Sequence, residues 1–272
     1  MKTVLTVVFT TFAFGIALYV VYCVQLWSAQ RGMMFPGAEM GATSDQSDWP
    51  AAAQQLKLGD SSTAVHAIWL PAAAAKPVST LVFFHGNAEF AFQSVSAMST
   101  LAGESRNVLL LEYPGYAGAP GAPSLASIST ASIAAYDWLL TQPGVDAKRI
   151  VAIGRSIGGG PATELSRHRP FAALVLMSTF TSVADLARSL HVPALLIRDP
   201  FDNRAGVAAF QGPVLILHGR RDDVMSFAHG VELSKASART QFVPLGCAHN
   251  DCDLDGPELR AAVAAFLERQ NL

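Results

Sequence analysis

One serine stands between glycines in Gly154-Arg155-Ser156-Ile157-Gly158, with Gly159 and Gly160 directly after it. The apolar run Ile150-Val151-Ala152-Ile153 leads in, and a helical pattern follows. G-x-S-x-G between a strand and a helix makes a turn so tight that a Cβ at either flanking glycine would clash. It holds the serine hydroxyl above the sheet at a helix start. A serine hydroxyl attacks a carbonyl only when a base takes its proton. Of seven histidines, His249 follows the last β-rich run directly, in Leu245-Gly246-Cys247-Ala248-His249-Asn250-Asp251, and is the expected base. The acid that orients it and stabilises its imidazolium is expected at Asp222, in His218-Gly219-Arg220-Arg221-Asp222-Asp223-Val224. Asp223 is its main rival and Asp202 a weaker one, while His218 reads as a structural strand-end residue. The order is then serine, aspartate, histidine.

Attack on a carbonyl also builds negative charge on its oxygen, which needs preorganised donors. The backbone N–H of Ile157, just after the nucleophile, is one expected donor. The second is expected from His85-Gly86-Asn87-Ala88, where the glycine lets the backbone come close and Asn87 N–H is the choice. The competing reading of those residues is an ordinary Gly-Asn turn. His85 reads as a packed strand-end histidine.

The elements that must position these groups alternate along the chain. β-rich runs cover residues 65–70, 78–84, 108–111, 150–153, 173–177, 214–217 and 241–243. Helical patterns cover about 90–103, 124–141, 157–167, 182–190, 227–238 and 257–270; in the second, Leu125, Ile128, Ala135, Trp138 and Leu139 share a face. Alternation with near-continuous apolar strands predicts a mostly parallel sheet covered by helices on both faces. Ligands then bind at the carboxyl ends of the strands, and every polar motif above follows a strand. Residues 180–213 leave room for one or two helices, so a small or absent cap and a fairly open site are expected.

The chain has 272 residues, 51% hydrophobic and 15% charged, with net charge −2. That is enough for one large domain, is not the composition of a disordered chain, and carries no basic run for nucleic acid. Residues 3–27 contain no charge. As a helix that run would be about 37 Å long, more than the roughly 30 Å hydrocarbon core. Tyr19, Tyr22 and Trp27 cluster at its far end, where aromatic rings favour the membrane interface. An uncleaved anchor is the expectation. A cleaved signal peptide would have a shorter apolar region and a small-x-small site, which Leu26 and Trp27 spoil, and a buried helix is the remaining rival. Bulky Tyr22 before Cys23 argues against a lipoprotein. Lys2 opposes Arg31, which weakly favours the domain on the non-cytoplasmic side. The expected division is an anchor over 1–29, an extended connector over 30–62 and a catalytic domain over 63–272. Residues 72–75, between Pro71 and Pro77, read as a loop.

These residues resemble the α/β-hydrolase-domain serine hydrolases with a single N-terminal anchor, a branch that includes protein depalmitoylases and lysophospholipid hydrolases. The resemblance covers about residues 30–272. It rests on Gln30-Arg31 through Phe35-Pro36, Phe84-His85-Gly86-Asn87-Ala88, Tyr113-Pro114-Gly115-Tyr116, residues 154–159, Phe180-Thr181-Ser182, residues 198–203 and 218–224, and His249-Asn250-Asp251. It implies the α/β-hydrolase fold, Ser156 as nucleophile, Asp222 as acid, His249 as base and an oxyanion donor after His85-Gly86. Glu112 and Ala117 depart from a commoner aspartate and glycine, and Cys247-Ala248 replaces a usual pair of small residues before the histidine. The lipidated, cysteine-rich N-terminus of the eukaryotic depalmitoylases is replaced here by an apolar run, so that activity does not carry over.

The expectation is a membrane-anchored hydrolase of carboxylic esters or thioesters working through an acyl-enzyme, on a small-molecule or lipid acyl ester. No cofactor is implied. Cys247-x-His249-x-x-Cys252 lacks a fourth ligand for zinc. The alternatives are a serine peptidase on the same fold and a non-catalytic, membrane-tethered binding protein. Cys247 and Cys252 flank His249 closely enough to form a disulfide in an oxidising compartment. The other reading of the pair is two free, buried thiols.

Overall fold

Strand residues that are apolar on both sides need cover on both sides, and that requirement sets the architecture. The computed structural model describes residues 2–42, 46–59, 64–74 and 76–272. In chain order it has α1 (Lys2–Met34), β1 (Gln54–Leu58), β2 (Val65–Leu70), β3 (Val78–Phe84), α2 (Val95–Ala102), β4 (Asn107–Leu111), α3 (Leu125–Leu139), β5 (Val145–Arg155) and α4 (Gly159–Leu165). There follow β6 (Ala173–Met177), α5 (Val183–Ser189), α6 (Asn203–Ala209), β7 (Val214–Gly219), α7 (Phe227–Ser234), β8 (Thr240–Leu245) and α8 (Pro257–Arg269). The sheet order is β1-β2-β4-β3-β5-β6-β7-β8. β1 and β2 run antiparallel to their neighbours, and β4, β3, β5, β6, β7 and β8 are parallel. This is the α/β-hydrolase fold that the strand–helix alternation and the motifs imply.

Alternate strand residues feed two cores. Phe84, Leu109, Ala152, Leu176 and Ile216 pack with Ile128, Ala162 and Val207 from α3, α4 and α6. Phe83, Leu110, Ile153, Val175 and Leu217 pack with Met98 of α2 and Val263 and Phe266 of α8. Each fully buried aliphatic or aromatic side chain of this kind stabilises the fold by about 1.5–3 kcal/mol. Side chains just before two helices cap their starts: Ser124 Oγ accepts from Ser127 N at 3.0 Å, and Ser182 Oγ from Asp185 N at 3.0 Å. Register pairs Phe84 with Gly154 and with Leu111, and Gly219 with Leu245. The carboxyl ends of the parallel strands therefore share one edge.

The stretch expected to be an extended connector carries more structure than its sequence announces. α1 continues past residue 29 to Met34, Phe35 is buried in the first core, and β1 adds an edge strand to β2. The polar stretch at 43–45 lies outside the described residues, as does Ala75; residues 72–74 have no regular structure. α1 is long and apolar enough to cross a membrane. Only its C-terminal half touches the domain. Tyr19 and Tyr22 hydroxyls donate to the carbonyls of His191 and Leu190 at 2.7 and 2.8 Å. Gln30 donates to Leu196 O at 2.7 Å and accepts from Arg198 N at 2.9 Å. Arg31 meets the buried Asp199 through two nitrogens, at 2.8 and 3.2 Å.

Ala117, where a glycine is commoner, sits at φ +44°, a left-handed conformation that disfavours any Cβ. By contrast, neither Cys247 nor Ala248 has a positive φ. The chain therefore does without glycine freedom before His249. Instead, Cys247 and Cys252 are joined as a disulfide with Cα atoms 5.2 Å apart.

Candidate active site

The turn after β5 is fixed by what its glycines avoid. A Cβ at Gly158 would collide with the Phe84 and His85 backbone, and one at Gly154 with the Gly158 carbonyl. Between them Ser156 adopts φ +52°, a conformation costing about 1–2 kcal/mol in a residue with a Cβ. Thr179 Oγ1 donates to Ser156 O at 2.7 Å and holds the turn in place. Strain of this kind persists where surrounding contacts over-determine it.

The structure brings Ser156, His249 and Asp222 into one hydrogen-bonded chain. Ser156 Oγ lies 3.0 Å from His249 Nε2, and His249 Nδ1 lies 2.8 Å from Asp222 Oδ2. All three residues are buried. A carboxylate only accepts, so Nδ1 carries the proton and Nε2 is free to take one from the hydroxyl. Asp222 Oδ1 accepts from the backbone N–H groups of Val224 and Met225, at 3.0 and 2.7 Å. Asp223 is exposed, and Asp202, also exposed, caps α6 by accepting from Ala205 N at 2.9 Å. Neither rival reaches His249.

His218 is fully buried, with Nε2 2.7 Å from Met225 O and 3.3 Å from Asp222 Oδ2. The carbonyl can only accept, so Nε2 donates and ties the turn that carries Asp222 to β7. His85 is equally buried, with Nε2 3.0 Å from Glu112 Oε1; Glu112 Oε2 accepts from Ala91 N at 3.0 Å.

Asn87 and Ile157 line the same cavity as Ser156. The carbonyl of Gly86, in the peptide that carries Asn87 N–H, lies 2.8 Å from His85 Nδ1 and accepts from Glu89 N at 3.4 Å. The next carbonyl, of Asn87, accepts from the Tyr116 hydroxyl at 2.7 Å and from Gly37 N at 3.2 Å. Both peptide planes are thus held from outside the cavity. Ile157 is the second residue of a helical turn, so its N–H has no acceptor within that turn. Two side chains that the sequence did not mark as a pair, Arg155 and Glu89, link the loop that carries Asn87 to His249. Glu89 accepts from Gly86 N at 2.8 Å and pairs with Arg155, whose Nη2 lies 3.4 Å from His249 O. Burial lowers the Arg155 pKa, opposed by Asp253 and Asp222.

The cavity holds about 230 Å³ and is walled by Phe180, Val183, Leu186, Leu190, Ile197 and Met225, and also by Leu26, Gln30, Met33 and Met34 of α1. The cap is small, as residues 180–213 imply. The wall supplied by α1 is one that the sequence did not announce. A uniformly apolar run shows no periodicity to mark its packed side.

Burial lowers the pKa of His218, with weaker opposition from its bond to Met225, and also lowers that of His229. His229 Nδ1 accepts from Thr181 N at 3.3 Å, which requires that nitrogen bare. Folded-state values below the unfolded value of about 6.5 mean that stability is complete above that pH and is lost as pH falls through the folded values. Thermal melts should show Tm falling below about pH 6.5. A Tm flat from neutrality down to the carboxylate range would refute it.

Comparison with known proteins adds four findings. The model of the alpha/beta hydrolase family matches residues 81–267. An uncharacterised protein of Mycobacterium tuberculosis is 32% identical over 250 residues, covering 89% of this chain and 88% of the relative. Human alpha/beta hydrolase domain-containing protein 17B is 32% identical over 184 residues, 66% of this chain and 63% of its own length. Among solved structures, the butyrate-bound esterase Est2 of Thermogutta terrifontis superposes with a TM-score of 0.66 at 19% identity, covering 80% of this chain and 94% of that one. At that identity the likeness is one of fold.

Proposed function

The chain belongs to the alpha/beta hydrolase family, and from that premise we propose that it is a membrane-anchored serine hydrolase of carboxylic esters or thioesters. The observation that carries the reading is the continuous bond chain from Ser156 Oγ through His249 to Asp222, opening into an apolar cavity. Ser156 attacks the acyl carbonyl while His249 Nε2 takes the hydroxyl proton. The Asn87 and Ile157 amides receive the developing oxyanion. His249 returns the proton to the leaving group, and water then releases the acyl-enzyme by the same route. Asp222 keeps the imidazole in the required tautomer throughout.

A serine peptidase would need donors and acceptors along the cleft to hold an extended backbone. This cavity is lined almost wholly by aliphatic and aromatic side chains, with Gln30, Asn87 and Ser156 as its polar members. The Est2 structure, solved with butyrate, shows the same fold holding a short carboxylate. Helix α1 is the anchor in this reading. Arg31 is committed to Asp199 while Lys2 is exposed, and the disulfide suits an oxidising compartment, so the domain lies on the non-cytoplasmic side. Alkylation of Cys247 and Cys252 in intact membranes should therefore require prior reduction.

The decisive test gives the full chain p-nitrophenyl esters, acyl thioesters and peptide amides. Ester or thioester turnover with an acyl group trapped on Ser156, seen by mass spectrometry, is expected. Amide turnover exceeding ester turnover, or no trapped acyl group, would overturn the reading.

A further inference from the structure

In α1, Tyr19, Tyr22, Leu26, Gln30 and Met33 recur at helical spacing, so they form one stripe along the helix. Tyr19 and Tyr22 bond to the turn at Leu190 and His191, and Leu26, Gln30 and Met33 line the cavity that ends at Ser156. The stripe passes without a break from the segment that leaves the domain to the wall of the site. Resting on the hydrolase reading, we infer that α1 is one side of the acyl-binding site, and that a long acyl chain reaches Ser156 from the bilayer through the seam between α1 and residues 183–197.

Lengths support the placement. Residues 2–18 make no bond to the domain and extend about 25 Å at 1.5 Å per residue. A hydrocarbon core of about 30 Å then ends near Tyr22, beside the turn that Tyr22 holds. Leu190 is 47% exposed and Leu195 85% exposed on that turn, large apolar side chains facing outward where the membrane surface would lie. Trp27 carries Arg198 over its ring at 4.9 Å, an aromatic and a cation at the level where polar headgroups begin. Leu190 also lines the cavity, so the same residue meets the bilayer and the site. The free energy of moving a chain from bilayer to cavity is small, because one apolar surrounding replaces another. A chain arriving through water would first have to leave the membrane, at about 0.8 kcal/mol per methylene.

The cavity's volume lies below the roughly 300–1,000 Å³ of sites for drug-sized ligands. The space is lined almost wholly by apolar side chains and a long chain exceeds it, so the tail of such a chain lies in the seam along α1. The substrate class follows: an ester or thioester of a single straight fatty acyl chain, resident in the membrane, whose carbonyl lies near the headgroup level.

The test uses the full chain in phosphatidylcholine vesicles, with p-nitrophenyl acetate in the water and p-nitrophenyl palmitate in the bilayer. Leu26→Trp fills the stripe, and Val24→Trp places the same bulk on the exposed side of α1. Leu26→Trp should lower the ratio of kcat/KM for palmitate to that for acetate by about tenfold or more. Val24→Trp should leave both unchanged. Leu26→Ala, which adds space without bulk, should shift preference toward branched acyl chains. Equal losses on both esters, or no change on palmitate, would overturn the inference. If the unmodified chain hydrolyses neither ester, the hydrolase reading itself has failed. Replacing Leu195 by glutamate should weaken palmitate turnover alone; an unchanged rate would remove the bilayer route.

Discussion

Ser156→Ala is expected to abolish fluorophosphonate labelling and to lower ester turnover by about 10⁴–10⁶-fold. The hydroxyl is the only atom at the turn's apex placed 3.0 Å from His249 Nε2. His249→Ala should cost about as much, and the double variant little more than either single one, because the residues act as a unit. Removing the hydroxyl also takes away no packing partner of size, so circular dichroism and Tm should stay near those of the parent chain. Residual activity should then report the oxyanion donors alone. Unchanged labelling in Ser156→Ala would move the nucleophile elsewhere, and additive losses would show that the bond chain does not work as one device.

Asp222→Asn should lower kcat by about 10⁴-fold, and the reason is geometric. Two backbone N–H groups, of Val224 and Met225, point at Oδ1. In the variant the amide oxygen must occupy that position, since an NH₂ there would face two donors. The NH₂ group then takes the place of Oδ2 and points at His249 Nδ1. That nitrogen becomes an acceptor, and the proton moves to Nε2, where it faces Ser156. The base is then in the wrong tautomer, although nothing has moved. Asp223→Asn changes an exposed side chain and should leave turnover within about twofold. A pH–rate profile separates the two, because a tautomer block is not restored by raising pH within the range of an ordinary histidine. Equal effects from the two substitutions would place the acid elsewhere.

Much of the site could be read from residue types because each element there has a strong local cause. The turn at Ser156 needs its glycines, as the Gly158–Phe84 approach shows, and Asp222 and His249 follow strands whose apolar runs are unambiguous. The runs at 65–70, 78–84 and 173–177 coincide with β2, β3 and β6. What escaped has equally physical reasons. β1 is Gln-Gln-Leu-Lys-Leu on a sheet edge, half exposed, so burial imposes no hydrophobic run on it. α6 is seven residues with a glycine inside, too short for a period to emerge. Arg155 and Glu89 are far apart in sequence, and nothing local joins them. The packed side of α1 left no pattern because lipid and protein interior ask for the same side chains.

Asp199 carries a consequence of its own. Its carboxylate is buried, and it accepts from Leu125 N at 2.8 Å at the start of α3 as well as from Arg31. Lifting α1 away would strand a charge inside the domain and open an apolar wall to water, so the docking of α1 is coupled to the stability of the domain. The N-terminal helix is therefore not an interchangeable part. Replacing residues 2–29 by a foreign apolar helix would remove Leu26 from the wall, and trimming past Arg31 would leave Asp199 without its counter-charge.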